Sequence, residues 1–234
     1  MVGPKRPVIV LFGSSIVQNS FDHGGWGSIL AHLYSRQADV VLRGYAGWNS
    51  RQALQVLATV FPKDVPVQLP SLVIVYFGGN DSSTPLPDGL SRHVPLSEYK
   101  ENMQQIGLYI RTLSEMTRVI FHSCPPVSEK MLDKSVPRTY EACRYYSNAC
   151  IEMCNELSCT DPSFKVIDLF NAIQKRHDWT DTCFLDGIHY SSVASDIAAG
   201  EIVKAISEAK WEQTLYFGDL PTEFEEMYPV RPIK

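Results

Sequence analysis

Five short runs of apolar and β-branched residues restrict the fold of this chain more than any other feature. Continuous apolarity of this kind is typical of strands that are buried on both faces of a sheet. Stretches in which apolar residues recur at helical spacing separate the runs, and this alternation predicts βαβ crossovers in a parallel sheet. The predicted strands are residues 7–12, 39–42, 72–77, 118–122 and 165–170.

Two of the predicted helices have residues typical of a helix start. Ser97 can cap one helix, with Glu98 and Glu101 in its first turn, where negative charge complements the helix dipole. Ser192 can cap the last helix in the same way, with Asp196 in the first turn. We therefore expect these helices to begin directly after the two serines.

The chain is expected to form one domain. Its 234 residues, 44% of them hydrophobic, suffice for the core of a single α/β unit. We place this domain at residues 1–210 and interpret residues 211–234, with their prolines and acidic cluster, as a tail packed on the same domain. The segment 82–96 is long for a crossover loop, so it is a candidate for the lip of a site.

Charge and cysteine content exclude several classes of function. The formal net charge is -5 and Lys and Arg form no cluster, so we expect no nucleic-acid partner. No signal peptide, membrane span, Cys-x-x-Cys pair or His-Glu-x-x-His motif is evident, so we predict no metal and no cofactor. The spacing of Cys143, Cys150 and Cys154 predicts packed, reduced thiols on one helix face, which favours a reducing, cytoplasmic compartment. The oligomeric state stays open.

Two motifs carry the residue types of nucleophilic catalysis. The first predicted strand ends at Gly13-Ser14-Ser15, and Asp186-Gly187-Ile188-His189 places a carboxylate three positions from an imidazole. A serine hydroxyl attacks a carbonyl at neutral pH only when a positioned base removes its proton, and a carboxylate improves that base by fixing its tautomer. The two motifs together predict a serine hydrolase.

Two further strand ends carry groups that can stabilise an oxyanion. Gly47, in the segment 44–50 after the second strand, can bring a backbone N–H close to a substrate. Asn80, in Gly78-Gly79-Asn80-Asp81 after the third strand, carries a side-chain amide. Because the carboxyl ends of parallel strands meet at one edge of a sheet, we expect these donors to lie near the nucleophile.

Other residues offer competing interpretations. Asp168 lies at a predicted strand end and could orient a base, and His93 lies in the proline-containing loop and could reach the site. We rank both below the pair Asp186 and His189. The run Gly24-Gly25-Trp26-Gly27 lacks both the lysine of a P-loop and the spacing of a dinucleotide-binding motif, so we interpret it as a turn with a packing tryptophan.

Four of these motifs occur in the order of the sequence blocks of the SGNH, or GDSL, hydrolase superfamily, which the chain resembles over most of its length. Within that superfamily it is similar to the isoamyl acetate-hydrolysing esterase-like branch, through residues 10–18, 24–27, 42–45 and 76–81. The four blocks are Phe12-Gly13-Ser14-Ser15, residues 44–50, Gly78-Gly79-Asn80-Asp81 and Asp186-Gly187-Ile188-His189.

The resemblance implies a flavodoxin-like three-layer α/β/α sandwich with a five-stranded parallel sheet. It also implies that Ser15 is the nucleophile, His189 the general base and then acid, and Asp186 the acid that orients it. By the same carry-over, backbone N–H groups of Ser15 and Gly47 and the side-chain amide of Asn80 form the oxyanion hole.

One departure from the family pattern bears on function, because Ser14 occupies the place of the usual Asp in the first block. This leaves local hydrogen bonding in question without removing any member of the triad. We expect an active esterase or lipase, a carboxylester hydrolase for small, short-acyl, acetate-type esters that needs no cofactor. The alternative is a non-catalytic flavodoxin-like module that holds a small ligand at the same loops.

Overall fold

A five-stranded parallel sheet forms the centre of the computed structural model, which describes residues 3–63, 68–86 and 91–227. Its strand order is β2-β1-β3-β4-β5, and every neighbouring pair is parallel. The interior strand β1 places Leu11 beside Leu42 of β2 and Ile74 of β3. The expected five-stranded parallel sheet is confirmed. The strands are β1 (Val8–Gly13), β2 (Asp39–Gly44), β3 (Leu72–Tyr76), β4 (Arg118–His122) and β5 (Phe164–Ile167).

Helices cover both faces of the sheet, and each face has its own apolar core. One face packs against α3 (Ser50–Val60), α4 (Leu96–Arg111) and α5 (Tyr140–Ser158). The other face packs against α1 (Ser15–Gln18), α2 (Trp26–Leu33), α6 (Leu169–Gln174), α7 (Trp179–Thr182) and α8 (Ser192–Glu208). This is the expected flavodoxin-like three-layer sandwich. None of the helices in the described ranges has the length and apolarity that crossing a bilayer requires.

The last strand is shorter than the sequence predicts. Strand β5 ends at Ile167, whereas the prediction continued to residue 170. Asp168 ends the strand because its side chain accepts a hydrogen bond from the backbone N–H of Asn171, at 3.0 Å, and so caps α6. The apolar pair Leu169 and Phe170 is buried on that helix, and a buried helix turn has the same short apolar pattern as a buried strand.

Both predicted caps are wrong in detail. Helix α4 begins at Leu96, after the extended backbone of Pro95, so Ser97 lies inside its first turn and caps nothing. Proline suits this boundary because its ring fixes φ and it has no N–H to satisfy. The cap of α8 is Ser191 rather than Ser192, because Ser191 keeps an extended backbone and accepts from Ala194 N. Asp196 consequently lies beyond the first turn.

The described part of the C-terminal segment, residues 211–227, runs along the face that holds α2 and α8. Trp211 and Leu215 are buried there. The Trp211 indole donates to Pro162 O at 3.0 Å, and the Tyr34 hydroxyl donates to Leu215 O at 2.8 Å. Residues 228–234 of the expected tail, and residues 87–90 of the expected lip, lie outside the described residues.

Gly107 sets how closely α4 approaches the sheet. A Cβ at this position would lie 2.5 Å from the Phe121 ring and 3.3 Å from the Phe164 ring. Alanine usually stabilises a helix interior by about 1 kcal/mol relative to glycine, but overpacking a core costs roughly 1–3 kcal/mol. We therefore expect Gly107→Ala to lower the free energy of unfolding, as measured by urea denaturation.

Gly200 on α8 provides the matched control, because a Cβ there meets no atom within 4 Å. Gly200→Ala should raise the free energy of unfolding by about 0.5–1 kcal/mol, through helix propensity alone. Equal effects of the two substitutions would contradict the close packing at Gly107.

Candidate active site

The turn after β1 presents a serine hydroxyl at the carboxyl edge of the sheet. Gly13 ends the strand, and a Cβ there would lie 2.4 Å from the carbonyl oxygen of Tyr76 on β3. The chain turns at Ser14, and Ser15 is the first residue of α1. Ser15 is half-buried, whereas Ser14 is 3% exposed. The position of Ser15 makes its hydroxyl accessible to a small molecule.

A tight turn before α8 brings a carboxylate and an imidazole together. Gly187 in this turn has φ +90°, which L side chains rarely adopt, and a Cβ there would lie 2.7 Å from Ser128 O. Ser128 N donates to Gly187 O at 2.9 Å and anchors the turn. Glycine is thus required for Asp186 and His189 to stand side by side.

Asp186, His189 and Ser15 form a continuous hydrogen-bonded chain. His189 Nδ1 lies 2.6 Å from Asp186 Oδ2, and His189 Nε2 lies 2.9 Å from Ser15 Oγ. When Nδ1 carries the proton and donates to the carboxylate, Nε2 is free to accept the proton of the Ser15 hydroxyl. The arrangement therefore provides a base within reach of a nucleophile.

The carboxylate of Asp186 is held in its charged form. Partial burial would raise its pKa, but hydrogen bonds from the backbone and side chain of His189 and from the backbone of Ile188 outweigh this and hold the pKa below its ordinary value. The backbone N–H groups of Ile188 and His189 donate to Oδ1 at 2.9 Å and 2.8 Å, which leaves Oδ2 for the imidazole. Both carboxylate oxygens thus act in positioning the ring.

Asn80 lies on the same cavity as Ser15 and His189, and two hydrogen-bond partners determine the orientation of its side-chain amide. Its Nδ2 donates to Trp48 O at 2.7 Å, and Arg138 Nη2 donates to its Oδ1 at 2.9 Å. Guanidinium is only a donor, so the end of the amide that faces Arg138 must be the oxygen. Among the described residues only one acceptor faces Nδ2, which leaves its second N–H for a further acceptor. Sequence reasoning missed Arg138, which lies between β4 and α5 in a segment without a motif.

Gly47 lies at the border of the same region. Its φ is +83°, and the guanidinium of Arg92 lies 3.1 Å from the point where a Cβ would stand. The following helix α3 starts at a capping box between Asn49 and Gln52, which holds the segment that carries Gly47. The guanidinium of Arg92 therefore lies directly over the backbone of Gly47, where no side chain intervenes.

A cavity of about 370 Å³ opens between these groups. Ser15, Asn80, Asp186 and His189 all line it, whereas Gly47 does not, although Arg92 above Gly47 does. The other lining residues are Ser83, Leu86, Ser91, Arg92, Ser135, Val136, Pro137, Arg138 and Ile188. In the described ranges no cluster of three or more His, Cys, Asp or Glu suited to a metal ion occurs.

Comparison with known proteins agrees with this geometry. The family model of the GDSL-like lipase/acylhydrolases matches residues 9–202. The chain belongs to this family. The GDSL esterase/lipase CPRD49 of Arabidopsis thaliana is 53% identical over 98% of this chain and 90% of its own length. The isoamyl acetate-hydrolyzing esterase 1 homolog of Mus musculus is 34% identical over 81% of this chain and 77% of its own length.

Solved structures confirm the fold of this GDSL hydrolase. A lipase/acylhydrolase from Enterococcus faecalis superimposes with a TM-score of 0.69 at 21% identity, over 92% of this chain and 98% of that one. The relatives show that the chain is an ester-hydrolysing enzyme. The resemblance to the superfamily and its isoamyl acetate-hydrolysing branch is confirmed, and the non-catalytic module receives no support.

The competing residues of this GDSL hydrolase have other roles. Asp168 caps α6, and the ring of His93 contacts Ser83 O through Nδ1 at 2.8 Å. The indole of Trp26 is buried and donates to Ile16 O at 3.0 Å, which agrees with its interpretation as a packing residue at a turn. Ser14 makes no side-chain cap to α1, and its carbonyl accepts from Val17 and Gln18 instead.

His122 illustrates a buried histidine outside the hydrogen-bonded chain. It is fully buried between the rings of Tyr76 and Tyr190. The carbonyl oxygen Ser123 O only accepts, so Nδ1 carries the proton and donates to it at 2.8 Å, and Nε2 accepts from the Tyr190 hydroxyl at 3.1 Å. Burial lowers the pKa of His122 to about 4.

This lowered pKa predicts a dependence of stability on pH. Unfolded histidine has a pKa of about 6.5, so below that pH the unfolded chain binds a proton that the folded chain does not. Stability from neutral His122 should therefore be complete above about pH 6.5 and be lost as the pH falls to about 4. Urea denaturation at several pH values should show a smaller loss for His122→Phe than for wild type.

The exposed His32 on α2 supplies the control for this measurement. His32→Phe should keep the wild-type pH dependence of the free energy of unfolding. An unchanged slope in His122→Phe would contradict the assignment of a neutral, buried imidazole.

Proposed function

We propose that this GDSL hydrolase is a serine carboxylester hydrolase that acts through Ser15, His189 and Asp186 and a covalent acyl-enzyme. The observation that carries the proposal is the continuous hydrogen-bonded chain from Asp186 through His189 to the Ser15 hydroxyl, with distances of 2.6 Å and 2.9 Å. These distances lie within the range that a nucleophile and its base require.

The first half of the reaction forms the acyl-enzyme. Ser15 Oγ attacks the ester carbonyl while His189 Nε2 takes the hydroxyl proton. The tetrahedral intermediate collapses, the bond between the carbonyl carbon and the alkoxy oxygen breaks, and His189 gives its proton to the leaving alcohol. Asp186 stabilises the imidazolium throughout and stays ionised.

The second half uses water. His189 takes a proton from a water molecule whose oxygen attacks the acyl carbon, and the proton then returns to Ser15 Oγ as the carboxylic acid leaves. All atoms and charges balance, so the cycle needs neither a metal nor an organic cofactor. The enzyme returns with its hydroxyl and imidazole restored.

The oxyanion of each tetrahedral intermediate is assigned to the backbone N–H groups of Ser15 and Gly47 and to Asn80 Nδ2. The free N–H of Asn80 and the location of Ser15 and Asn80 on one cavity support this assignment. Donors of this kind act where negative charge develops, so they stabilise the transition state more than the substrate.

Small, short-acyl, acetate-type esters are the proposed substrates. A cavity of about 370 Å³ lies near the lower end of the usual size of ligand sites. The names of the mouse relative and of a structural neighbour, an acetyl xylan esterase, both refer to acetate esters. These names support an acetyl group as the simplest acyl part to test.

A reducing, cytoplasmic compartment is proposed for the enzyme. The six cysteines are unpaired, and all except Cys159 are buried. Cys143, Cys150 and Cys154 lie on the inner face of α5, where burial raises the pKa of Cys150 to about 12 and that of Cys154 to about 11. Buried protonated thiols such as those of Cys150 and Cys154 are suited to a compartment that keeps cysteines reduced.

Substitution of the two adjacent serines tests which one attacks. We expect Ser15→Ala and His189→Ala to lower kcat/KM for p-nitrophenyl acetate by at least about 10³-fold. Ser14→Ala should keep activity within about tenfold of wild type, since its hydroxyl would neither attack nor receive a proton. A fluorophosphonate probe should label wild type and Ser14→Ala but not Ser15→Ala. Full activity in Ser15→Ala would refute the proposed nucleophile.

Substitution of Asn80 and its partner tests the oxyanion assignment. Asn80→Ala should lower kcat by about 10²–10³-fold with little change in KM. Arg138→Gln should lower kcat by about tenfold, because the amide loses the cation that determines its orientation. Arg144→Gln is the matched control, since Arg144 pairs with Glu141 on the exposed side of α5. Wild-type kcat in Asn80→Ala would exclude the amide from the oxyanion hole.

A further inference from the structure

The cavity beside Ser15 contains more positive charge than the proposed oxyanion chemistry of a neutral ester uses. Arg92 and Arg138 both line it. The one acidic side chain among the described lining residues is Asp186, which is already bonded to His189. This contrasts with the formal net charge of -5 on the whole chain.

Several other arginines of this chain are paired with a carboxylate. Arg51 donates to Glu98 at 2.6 Å, Arg111 to Asp161 at 2.7 Å and Arg176 to Asp178 at 2.9 Å. Neither arginine of the cavity forms an ion pair with any of the described residues. Two guanidinium groups without an ion pair among the described residues thus line the cavity where a substrate must bind.

The two arginines lie beside two of the proposed oxyanion donors. Arg138 is held by its bond to Asn80 Oδ1, and its Nε is buried without a hydrogen-bond partner in the described part of the chain. The guanidinium of Arg92 lies above Gly47. A group bound between them would lie close to the carbonyl under attack. Guanidinium recognises carboxylate and phosphate oxygens by paired hydrogen bonds.

We propose that the natural substrate is an ester that carries a second, anionic oxygen group near the ester bond, and that Arg92 and Arg138 bind this group. Carboxylate and phosphate share the required chemistry. The inference rests on the proposed esterase function of Ser15 and extends it to a substrate class. The positive charge would favour such an ester over its neutral analogue without altering the chemistry at Ser15.

Matched pairs of esters test this substrate class. Monoethyl glutarate and ethyl glutaramate differ by a charge on the acyl side, and 4-acetoxybenzoate and 4-acetoxybenzamide differ by a charge on the alcohol side. A third acetate ester, 4-acetoxyphenyl phosphate, carries a phosphate group on the alcohol side and shows whether the site prefers phosphate or carboxylate. We expect kcat/KM to be at least about tenfold higher for the charged member of one pair, and this preference should weaken as salt is added.

The arginine itself is tested by a matched pair of variants. Arg92→Gln should reduce the ratio of charged to neutral kcat/KM by about three- to tenfold. Arg43→Gln makes the same change on β2, outside the cavity, and should leave the ratio unchanged. An equal ratio in wild type and Arg92→Gln, or no preference for the charged ester in either pair, would overturn the inference.

The outcomes separate this inference from the proposed function. Hydrolysis of the neutral esters without a charge preference overturns only the anionic substrate class, whereas activity that survives in Ser15→Ala overturns the catalytic proposal. If no ester is turned over, the existence of the anion subsite is tested by the protection of Ser15 from the fluorophosphonate probe. Glutarate or inorganic phosphate should slow labelling at concentrations where glutaramide does not, and equal labelling rates would contradict an anion subsite.

Discussion

The buried carboxylate of Asp81 is the interaction on which the geometry of the site depends. It is fully buried and accepts from Ser50 N at 2.9 Å and from Gly78 N at 3.0 Å, so it ties the start of α3 to the end of β3. Burial raises its pKa, and the hydrogen bonds from Ser50 and Gly78 partly offset this effect. Gly47 and Asn80 lie in these two segments, so Asp81 fixes their separation together with the bond from Asn80 Nδ2 to Trp48 O.

The parallel sheet converts distance along the chain into closeness in space. Ser15 and His189 are 174 positions apart, yet their side chains are within 2.9 Å. Ser15 follows β1 and Asn80 follows β3, and these strands are direct neighbours in the sheet. Parallel strands end at one edge, so each crossover returns the chain to the same site. The local turn at Gly187 then needs to place only the Asp186 carboxylate and the His189 imidazole.

The sequence predicted what depends on local pattern and missed what depends on distant contacts. Continuous apolar runs are sufficient to find buried strands, but the end of β5 depends on a cap made by Asp168, which the apolar pattern conceals. The hydrogen-bonded series Asp186, His189 and Ser15 was predictable because the motifs have characteristic spacing. Arg138 and Arg92 have no motif, and their importance arises from contacts with Asn80 and Gly47 in remote segments.

Arg138 links positioning with electrostatics. Its bond to Asn80 Oδ1 withdraws electron density from the amide, so the free N–H of Nδ2 becomes a stronger donor. Its positive charge also lies near the point where the proposed oxyanion develops, in a chain whose formal net charge is -5. Because that oxyanion exists only in the transition state and intermediates, a fixed cation here lowers the barrier more than it tightens substrate binding. Arg92 supplies a second cation in the same cavity, so the proposed anionic group can be bound while Arg138 stays bonded to Asn80.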